Sequence, residues 1–297
     1  MSDFVQQQKS ICDFANSDSW VILSPIEQSI KRKIETVGTP LKDWDIQINY
    51  GIKTGFNDAF IISTEKRDEI LANCQTEEER LRTAELIRPI LRGRDIKRYG
   101  YVDNGLYLIN THNGIRGKLP RIDINDYPAV KAHLDQYWDR ISIRADKGDT
   151  PYNLRNCAYL EDFSRPKIIW KRIGSILRFS YDNRGSLGLD STCFAAGEHI
   201  EYLCCVLNSL MGHYLLKDSP KTGTGDLLVS VQAIEPARVP YDAQYDGRLS
   251  MLLSRQINDG TDATEKEIND IVFSLYGLSP SEREYVTSYV KQSQQSQ

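Results

Sequence analysis

The sequence predicts an α+β fold in which a mixed or antiparallel sheet is flanked by helices and followed by a small C-terminal helical segment. Short stretches of alternating apolar residues indicate strands, and segments of helical periodicity with recognisable start signals lie between them. Hydrophobic residues make up 40% and charged residues 26% of the 297 residues, as in ordinary globular domains. No internal repeat interrupts this order, so we expect a single sheet-centred architecture rather than a repeat array.

The chain length predicts one main domain with a smaller appendage. We expect residues 1–19 to be a flexible lead-in, residues 20–240 to form the main domain and residues 241–297 to form a helical C-terminal tail. No apolar run approaches the roughly 20 residues of a membrane span. The polar, glutamine-rich N-terminus lacks the pattern of a secretory signal, so the sequence predicts a cytoplasmic protein.

The first predicted elements are one helix and two short strands. Residues 24–27, Ser-Pro-Ile-Glu, place a serine at a helix N-cap, and the helix is expected to continue to about Val37. Alternation over residues 44–48 predicts a half-buried strand, and residues 59–62 predict a second. The turn between them would carry Lys53 and Thr54 at the tip of a hairpin.

The rest of the chain is predicted to alternate between helices and strands. Helices are expected over residues 66–81, from residue 127, over 200–216, 265–276 and 281–292; strands are expected over 107–109, 167–170, 176–179 and 227–231. The strands over 167–170 and 176–179 are predicted to be antiparallel and joined near Gly174. The six cysteines lack paired metal-ligand spacing, which predicts reduced core residues rather than zinc ligands or disulfides.

The distribution of charge is more informative than the net charge of −4. Nine acidic and five basic residues lie from Tyr241 onward, so residues 1–240 are balanced at 32 of each. Within them, residues 88–121 contain eight Lys or Arg against two Asp, and residues 165–184 contain six against one. Two basic segments of this kind are expected of a phosphate-binding surface, although a solvated face is the alternative.

Candidate DNA contacts follow from the chemistry of the basic side chains. A guanidinium matches guanine O6 and N7 in bidentate geometry, and a lysine serves a phosphate as a point charge. The basic turns therefore predict these contacts: Lys53, Thr54, Arg92, Arg94, Lys97, Arg98, Lys171, Arg172, Arg178, Asn183 and Arg184. Two alternatives stay open: an ion pair between Arg94 and Asp95 that holds a turn, and a strained hairpin at Lys53 without a ligand.

Motifs for catalysis are missing from the sequence. An adenine methyltransferase needs an Asn/Asp-Pro-Pro-aromatic turn, and no two prolines are adjacent. Residues 222–226 contain two glycines but precede a predicted strand, whereas a phosphate-binding loop precedes a helix. Asp95-Ile96-Lys97 is the Asp/Glu-x-Lys triplet that a metal-dependent nuclease would use, and it lacks a Pro-Asp partner on an upstream hairpin. We therefore expect no catalytic residues, no bound cofactor and no metal in this chain, with the nuclease as an alternative.

Several stretches together resemble one protein family. They are residues 40–62, with Asn-Tyr-Gly-Ile-Lys-Thr-Gly-Phe at their centre, residues 85–99, with Leu-Arg-Gly-Arg-Asp-Ile, residues 165–169, residues 203–210, with Leu-Asn-Ser, residues 234–240 and residues 268–279. In this order and spacing the chain resembles the TaqI-like C-terminal specificity domain, over roughly residues 20–290. In type IIG restriction-modification enzymes this domain follows the adenine-methyltransferase core.

The resemblance implies a domain that docks in the major groove of double-stranded DNA and reads several base pairs. It implies an adenine-methyltransferase domain or subunit as partner, with S-adenosylmethionine and Mg²⁺ bound there and not in this chain. The methyltransferase and nuclease regions are absent from this sequence, so we expect either a C-terminal part of a larger enzyme or a separate specificity subunit. A module that docks a methyltransferase and has little affinity for DNA is a further alternative.

Overall fold

The structure is a computed structural model that describes residues 23–295. The expected lead-in, residues 1–19, lies outside the described residues. Twelve α-helices occur in the described part: α1 Pro25–Val37, α2 Asn57–Phe60, α3 Thr64–Ala72, α4 Glu77–Leu86, α5 Pro128–Asp135, α6 Trp138–Ile141, α7 Ile200–Asn208, α8 Leu210–Leu215, α9 Val231–Ile234, α10 Ala243–Asp259, α11 Asp262–Leu275 and α12 Pro280–Gln295.

Two four-stranded sheets and two short strand pairs lie among these helices. The strands are β1 Thr39–Pro40, β2 Ile46–Tyr50, β3 Ile61–Ser63, β4 Ile87–Leu91, β5 Leu106–Ile109, β6 Lys167–Lys171, β7 Ile173–Gly174, β8 Phe179–Asp182, β9 Leu187–Gly188, β10 Thr192–Gly197, β11 Leu227–Leu228 and β12 Arg238–Val239. The central sheet has the order β2-β10-β6-β8 and is antiparallel throughout. The second sheet has the order β3-β5-β4-β9, with β4 and β9 parallel. The predicted α+β class is thus confirmed.

The central sheet separates two hydrophobic cores. Successive side chains of a strand point to opposite faces, and β10 shows this directly. Cys193 and Ala195 belong to one core, whereas Phe194 and Ala196 belong to the other. Helices α7, α10, α11 and α12 fill the first core, and the second sheet with α5 fills the second. Both faces of β10 are therefore buried, which makes it the central strand of the molecule.

Several element boundaries differ from those predicted. The helix expected over residues 66–81 is two helices, α3 and α4, and the helix expected over 200–216 is divided at Ser209, whose side chain caps α8. The predicted strand over 227–231 is reduced to β11, because Val231 begins α9. Residues 57–60 form α2 instead of a strand, and β2 and β3 lie in different sheets. The hairpin expected around Lys53 therefore does not form.

The C-terminal helices pack against the main body. Leu249 of α10, Val272 of α11 and Val286 of α12 are fully buried in the same core as the residues of α7. The sequence analysis predicted α11 and α12 but not α10. The division of the chain at residue 240 stays a prediction, although side chains from both sides of it share one core. No helix of residues 23–295 is long and apolar enough to cross a membrane.

A buried ion pair connects two strands of the central sheet. Lys167 of β6 and Asp182 of β8 are both fully buried, with 2.5 Å between Nζ and Oδ2. Lys167 also donates to the carbonyl oxygen of Phe163 at 2.7 Å. Asp182 accepts from the hydroxyl of Tyr101 at 2.9 Å and from the backbone of Ser186 at 3.0 Å. Every charged atom of the pair thus has a partner, as burial of a charge requires.

Glu282 joins the first helix to the last. It caps α12 by accepting from the Ser279 backbone at 2.7 Å, and it accepts from Ser29 at 2.7 Å and Lys33 at 2.6 Å, both of α1. Burial raises the pKa of Glu282, but the hydrogen bonds from Lys33, the Ser279 backbone and Ser29 outweigh it and lower the pKa to about 2. The folded protein therefore favours the ionised carboxylate.

We expect Glu282→Gln to lower the free energy of unfolding by about 1–3 kcal/mol at pH 7, because hydrogen bonds to a charged group are lost. A carboxyl group whose pKa is lowered by folding stabilises the protein above its unfolded pKa, near 4.5, and this stabilisation is lost as the pH falls toward 2. The difference between variant and wild type should therefore shrink between pH 4.5 and pH 2. Urea unfolding at several pH values measures it, with the exposed Glu284→Gln as control; a difference independent of pH would contradict the assignment.

Candidate nucleic-acid interface

A short loop, residues 189–191, joins three of the predicted contact segments at one end of the central sheet. Asp190 donates its backbone N–H to Ile52 at 2.9 Å, and the Leu189 N–H reaches Leu91 at 2.9 Å. Ser191 accepts from the Gly93 N–H through its hydroxyl at 3.1 Å and from the Arg172 N–H through its carbonyl at 3.0 Å. The segments around Lys53, Arg94 and Arg172 are therefore held against the same loop, although they are far apart in sequence.

Two glycines permit this close packing. A Cβ atom at Gly51 would lie 1.9 Å from the carbonyl oxygen of Leu189. At Gly93 a Cβ would lie 2.9 Å from Cγ of Lys171. A larger residue at Gly51 would separate two backbones, and one at Gly93 would displace the Lys171 side chain, so both glycines serve packing at this end of the sheet.

Four cations form what we call the basic face: Lys53, Arg94, Lys171 and Arg172. Lys171 is the last residue of β6 and is paired with Thr192, the first residue of β10, which places it beside the loop 189–191. Arg94 and Lys171 are exposed and Arg172 is partly exposed. Within residues 23–295, the side chains of Arg94, Lys171 and Arg172 have no hydrogen bond or ion pair. Their charges are therefore free for a ligand.

A cleft of about 400 Å³ opens beside this face. Lys53, Arg155, Arg172 and Asp190 line it, together with two tyrosines, Tyr50 and Tyr159. Lys53 pairs with Asp146 at 2.7 Å, and Arg155 approaches the same carboxylate at 3.2 Å, so one acid balances two bases. The cleft presents guanidinium donors next to a carboxylate acceptor, and these are the groups that read guanine and cytosine edges, respectively.

Arg92 and Asp95 form a structural pair inside the molecule. Asp95 is only 2% exposed, and both of its oxygens are engaged by Arg92, at 2.9 and 3.0 Å. It also accepts from the Arg92 N–H at 2.8 Å and from Asn104 at 2.8 Å. Burial raises the pKa of Asp95, yet these hydrogen bonds lower it below its ordinary value. The ion pair expected in this turn thus exists, but with Arg92 as partner, and Arg94 stays free.

This geometry bears on the nuclease alternative, which needs Asp95 to bind a metal ion. The carboxylate of Asp95 is occupied by Arg92 and Asn104 and is shielded from solvent, whereas Lys97 is exposed. No group of three or more His, Cys, Asp or Glu side chains in the described part of the chain is placed to hold a metal ion. Asp95 has the contacts of a turn-stabilising residue.

The other predicted contact residues lie apart from the basic face. Lys97, Arg98, Asn183 and Arg184 line a different cleft, shared with Glu201 and residues of α10. In the register of β6 and β8, Asp182 is paired with Lys167, so Asn183 and Arg184 follow at the end of the sheet opposite to Lys171. Arg98 is bonded to Glu265 of α11 and to the carbonyl of Asn208. These four residues are therefore not part of the basic face.

Thr54 and Arg178 complete the predicted set. Thr54 is buried, its hydroxyl bonds to Asn57 at 2.5 Å, and its carbonyl accepts from the buried guanidinium of Arg144. Arg178 directly precedes β8 and lies at the same end of the sheet as Lys171. Thr54 therefore supports the turn that presents Lys53, and Arg178 borders the basic face.

Sequence reasoning missed Arg155, Asp190 and the role of Arg144. Arg144 donates to the carbonyl oxygens of Asp146, Pro151 and Asn153 at 3.2, 3.0 and 2.6 Å, and so ties the loop before β6 to Thr54. These residues lie in loops with no periodic pattern and in no basic cluster. Arg144 and Asp190 are held by contacts with Thr54 and Ile52, which are distant in the chain, so the local sequence has no signal for their positions.

One family model and two solved structures match parts of this chain. Residues 88–229 match the profile of the TaqI-like C-terminal specificity domain, as the resemblance predicted. The fold is similar to part of the type IIL restriction-modification enzyme MmeI, solved in complex with DNA: the TM-score is 0.59 at 10% identity, over 88% of this chain and 37% of that one. The type IIG restriction endonuclease BpuSI matches with a TM-score of 0.41 at 12% identity, over 85% and 33%.

This chain thus spans about a third of the length of these two solved enzymes. At such low identity the likeness concerns the fold alone. No curated protein sequence matches the chain.

Proposed function

Because residues 88–229 belong to the TaqI-like C-terminal specificity domain family, we propose that the chain recognises a short base sequence in double-stranded DNA for a type IIG restriction-modification system. The observation that carries this proposal is the basic face. Three cations without partners in residues 23–295 and a fourth, Lys53, lie on segments held at the loop 189–191, next to a cleft with both donors and an acceptor. Such a surface can neutralise phosphates and distinguish bases at the same time.

Each part of the face has a distinct task in this proposal. Lys171 and Lys53 bind phosphates, because an ammonium group acts as a point charge with little directional preference. Arg94 and Arg172 read base edges or bridge phosphates with two parallel donors. The carboxylate of Asp190 accepts from the exocyclic amine of cytosine. MmeI is a restriction-modification enzyme solved with DNA, which supports the same ligand for a related fold.

The reaction itself belongs to other domains or subunits in this proposal. An adenine-methyltransferase domain is the partner, S-adenosylmethionine and Mg²⁺ serve its methylation and cleavage, and this chain is non-catalytic. Both activities take place in the cytoplasm. Without such a partner the chain should bind its site and leave plasmid DNA uncut in the presence of Mg²⁺.

A binding selection from random duplexes, made with the purified full chain at about 0.1 M salt, tests the proposal. We expect one short motif to be enriched and the affinity for it to fall steeply with salt, because phosphate contacts release counterions. Enrichment of no motif would contradict specific recognition. If a methyltransferase captured the chain while direct titration showed no DNA binding, the docking-module alternative would replace our proposal.

A further inference from the structure

A tight turn, residues 115–118, projects from the second sheet and carries cations that the basic face does not include. Ile115 and Leu119 pair as an antiparallel bridge, with backbone hydrogen bonds of 2.8 and 2.9 Å in both directions. Lys118 donates its N–H to Ile115 at 2.9 Å, which closes a four-residue turn with Arg116 and Gly117 in its centre. Gly117 has a φ of 74°, the positive value that the third residue of a type II turn requires.

The base of the turn is held rigidly. Gly114 has a φ of 75°, and a Cβ there would lie 2.5 Å from the carbonyl oxygen of Leu119. Asn113 bonds to Asp149 with both ends of its amide, at 3.0 Å from Nδ2 to the carboxylate and 2.8 Å from the Asp149 N–H to Oδ1. Ile115 and Leu119 pack against the second core. Contacts on both sides of the turn therefore anchor its base.

Arg116 differs from the other cations of this segment. Lys118 forms an ion pair with Glu161, and Arg121 lies 3.6 Å from Asp149. Arg116 is exposed, and within the described part of the chain its guanidinium has no hydrogen bond or ion pair. Arg116 is therefore a long cationic side chain at the tip of an anchored turn. Its guanidinium is available to bind a ligand.

The cleft beside this turn and the cleft beside the basic face share two lining residues. The turn lines a cleft of about 860 Å³ together with Asn156 and Cys157. The same two residues line the cleft that contains Lys53 and Arg172. Arg116 and Arg172 therefore line neighbouring clefts that meet at Asn156 and Cys157.

From this arrangement we propose that the turn 115–118 is a second base-reading element, with Arg116 donating two hydrogen bonds to a guanine edge. This inference rests on the proposed function. The major groove is wide enough, at about 12 Å, to admit a two-stranded β-ribbon. Bidentate donation to guanine O6 and N7 needs a guanidinium, and Arg116 has one that no residue of the described part neutralises.

The experiment compares Arg116→Ala and Arg116→Lys with wild type in the same duplex selection and in titrations of the selected site. We expect Arg116→Ala to relax the preference at one base pair and to weaken binding to the selected site roughly 5- to 100-fold, the usual range for one bidentate contact. Arg116→Lys keeps the charge, so it should restore the salt dependence but not the base preference. Arg255→Ala removes an exposed cation of α10 as the matched control, and thermal unfolding checks that all variants fold.

The outcomes separate this inference from the proposed function. If wild type selects a motif and Arg116→Ala changes the affinity for all duplexes equally, Arg116 binds phosphate and the inference is wrong. If Arg116→Ala behaves like Arg255→Ala, the turn makes no contact and the inference is also wrong. If wild type selects no motif at all, the proposed function fails first, whatever the variants do.

Discussion

Replacing Arg94, Lys171 and Arg172 together with alanine is expected to weaken binding to duplex DNA roughly 100-fold at about 0.15 M salt. The reason is counterion release: each phosphate neutralised contributes about 0.9 to the slope of log affinity against log salt, which is a factor of about 5 per contact at this salt concentration. Lys171 accounts for about 0.9 of this slope, and each arginine that bridges a phosphate adds about 0.9, so the slope of the triple variant should be shallower by about 0.9 to 2.7. Fluorescence anisotropy titrations over a range of salt concentrations measure both quantities.

The control for this experiment carries the same loss of charge elsewhere. Lys42, Arg255 and Lys291 are exposed and lie outside the basic face, so replacing all three with alanine changes the net charge equally. We expect the control variant to bind much more tightly than the triple variant. Equal affinities of the two variants would mean that only net charge matters, and the basic face would lose its role.

The largest expected effect on stability comes from the buried pair in the central sheet. Lys167→Ala leaves Asp182 as an uncompensated charge in the protein interior, at 1% exposure. Breaking a buried pair in this way is expected to lower the free energy of unfolding by about 3–5 kcal/mol. The loss should be visible as a lower midpoint in urea unfolding followed by circular dichroism.

Lys131 offers a matched comparison, because it forms an exposed ion pair with Asp135 at 2.7 Å on one helix. Lys131→Ala should leave stability nearly unchanged, since solvent screens an exposed pair. If Lys167→Ala lowered the free energy of unfolding no more than Lys131→Ala, the ammonium of Lys167 would not be needed to compensate the charge of Asp182. The combined substitution Lys167→Met with Asp182→Asn removes both charges, and we expect it to be less destabilising than Lys167→Ala alone.

The candidate site was partly predictable because two of its requirements are local. Clusters of Lys and Arg with few acids are visible in the sequence, and Arg94, Lys171 and Arg172 were identified from them. The partners of each cation are not local. The sequence places Asp95 next to Arg94, yet the three-residue turn brings its carboxylate back to Arg92. Arg98 and Arg94 were both predicted to contact DNA. In the fold, however, Arg98 is bonded to Glu265, which lies 167 positions later in the chain.

The register of the central sheet decided which predicted residues lie together. Arg178 and Arg184 are six positions apart. Arg178 precedes β8 and Arg184 follows it, so they lie at opposite ends of this strand. The pairing of Lys167 with Asp182 and of Trp170 with Phe179 places Arg178 near Lys171 and Arg184 at the far end. Strand pairing is a long-range interaction, so periodicity alone could not distinguish the two arginines.

Local patterns in the sequence predicted the α+β class, most of the helices, about half of the strands, the basic segments and the family resemblance of residues 88–229, because periodicity, capping and motif spacing act over a few residues. The central strand β10 was not among the predicted strands. Tertiary structure alone decided which cations pair with an acidic side chain and which have no partner. It also placed the unpaired cations near the loop 189–191 and along the clefts beside it. That selection depends on contacts between residues far apart in the chain, such as the hydrogen bonds from Gly93 to Ser191 and from Asp190 to Ile52. Packing of distant residues has no signature in a short stretch of sequence, so only the folded chain shows these contacts.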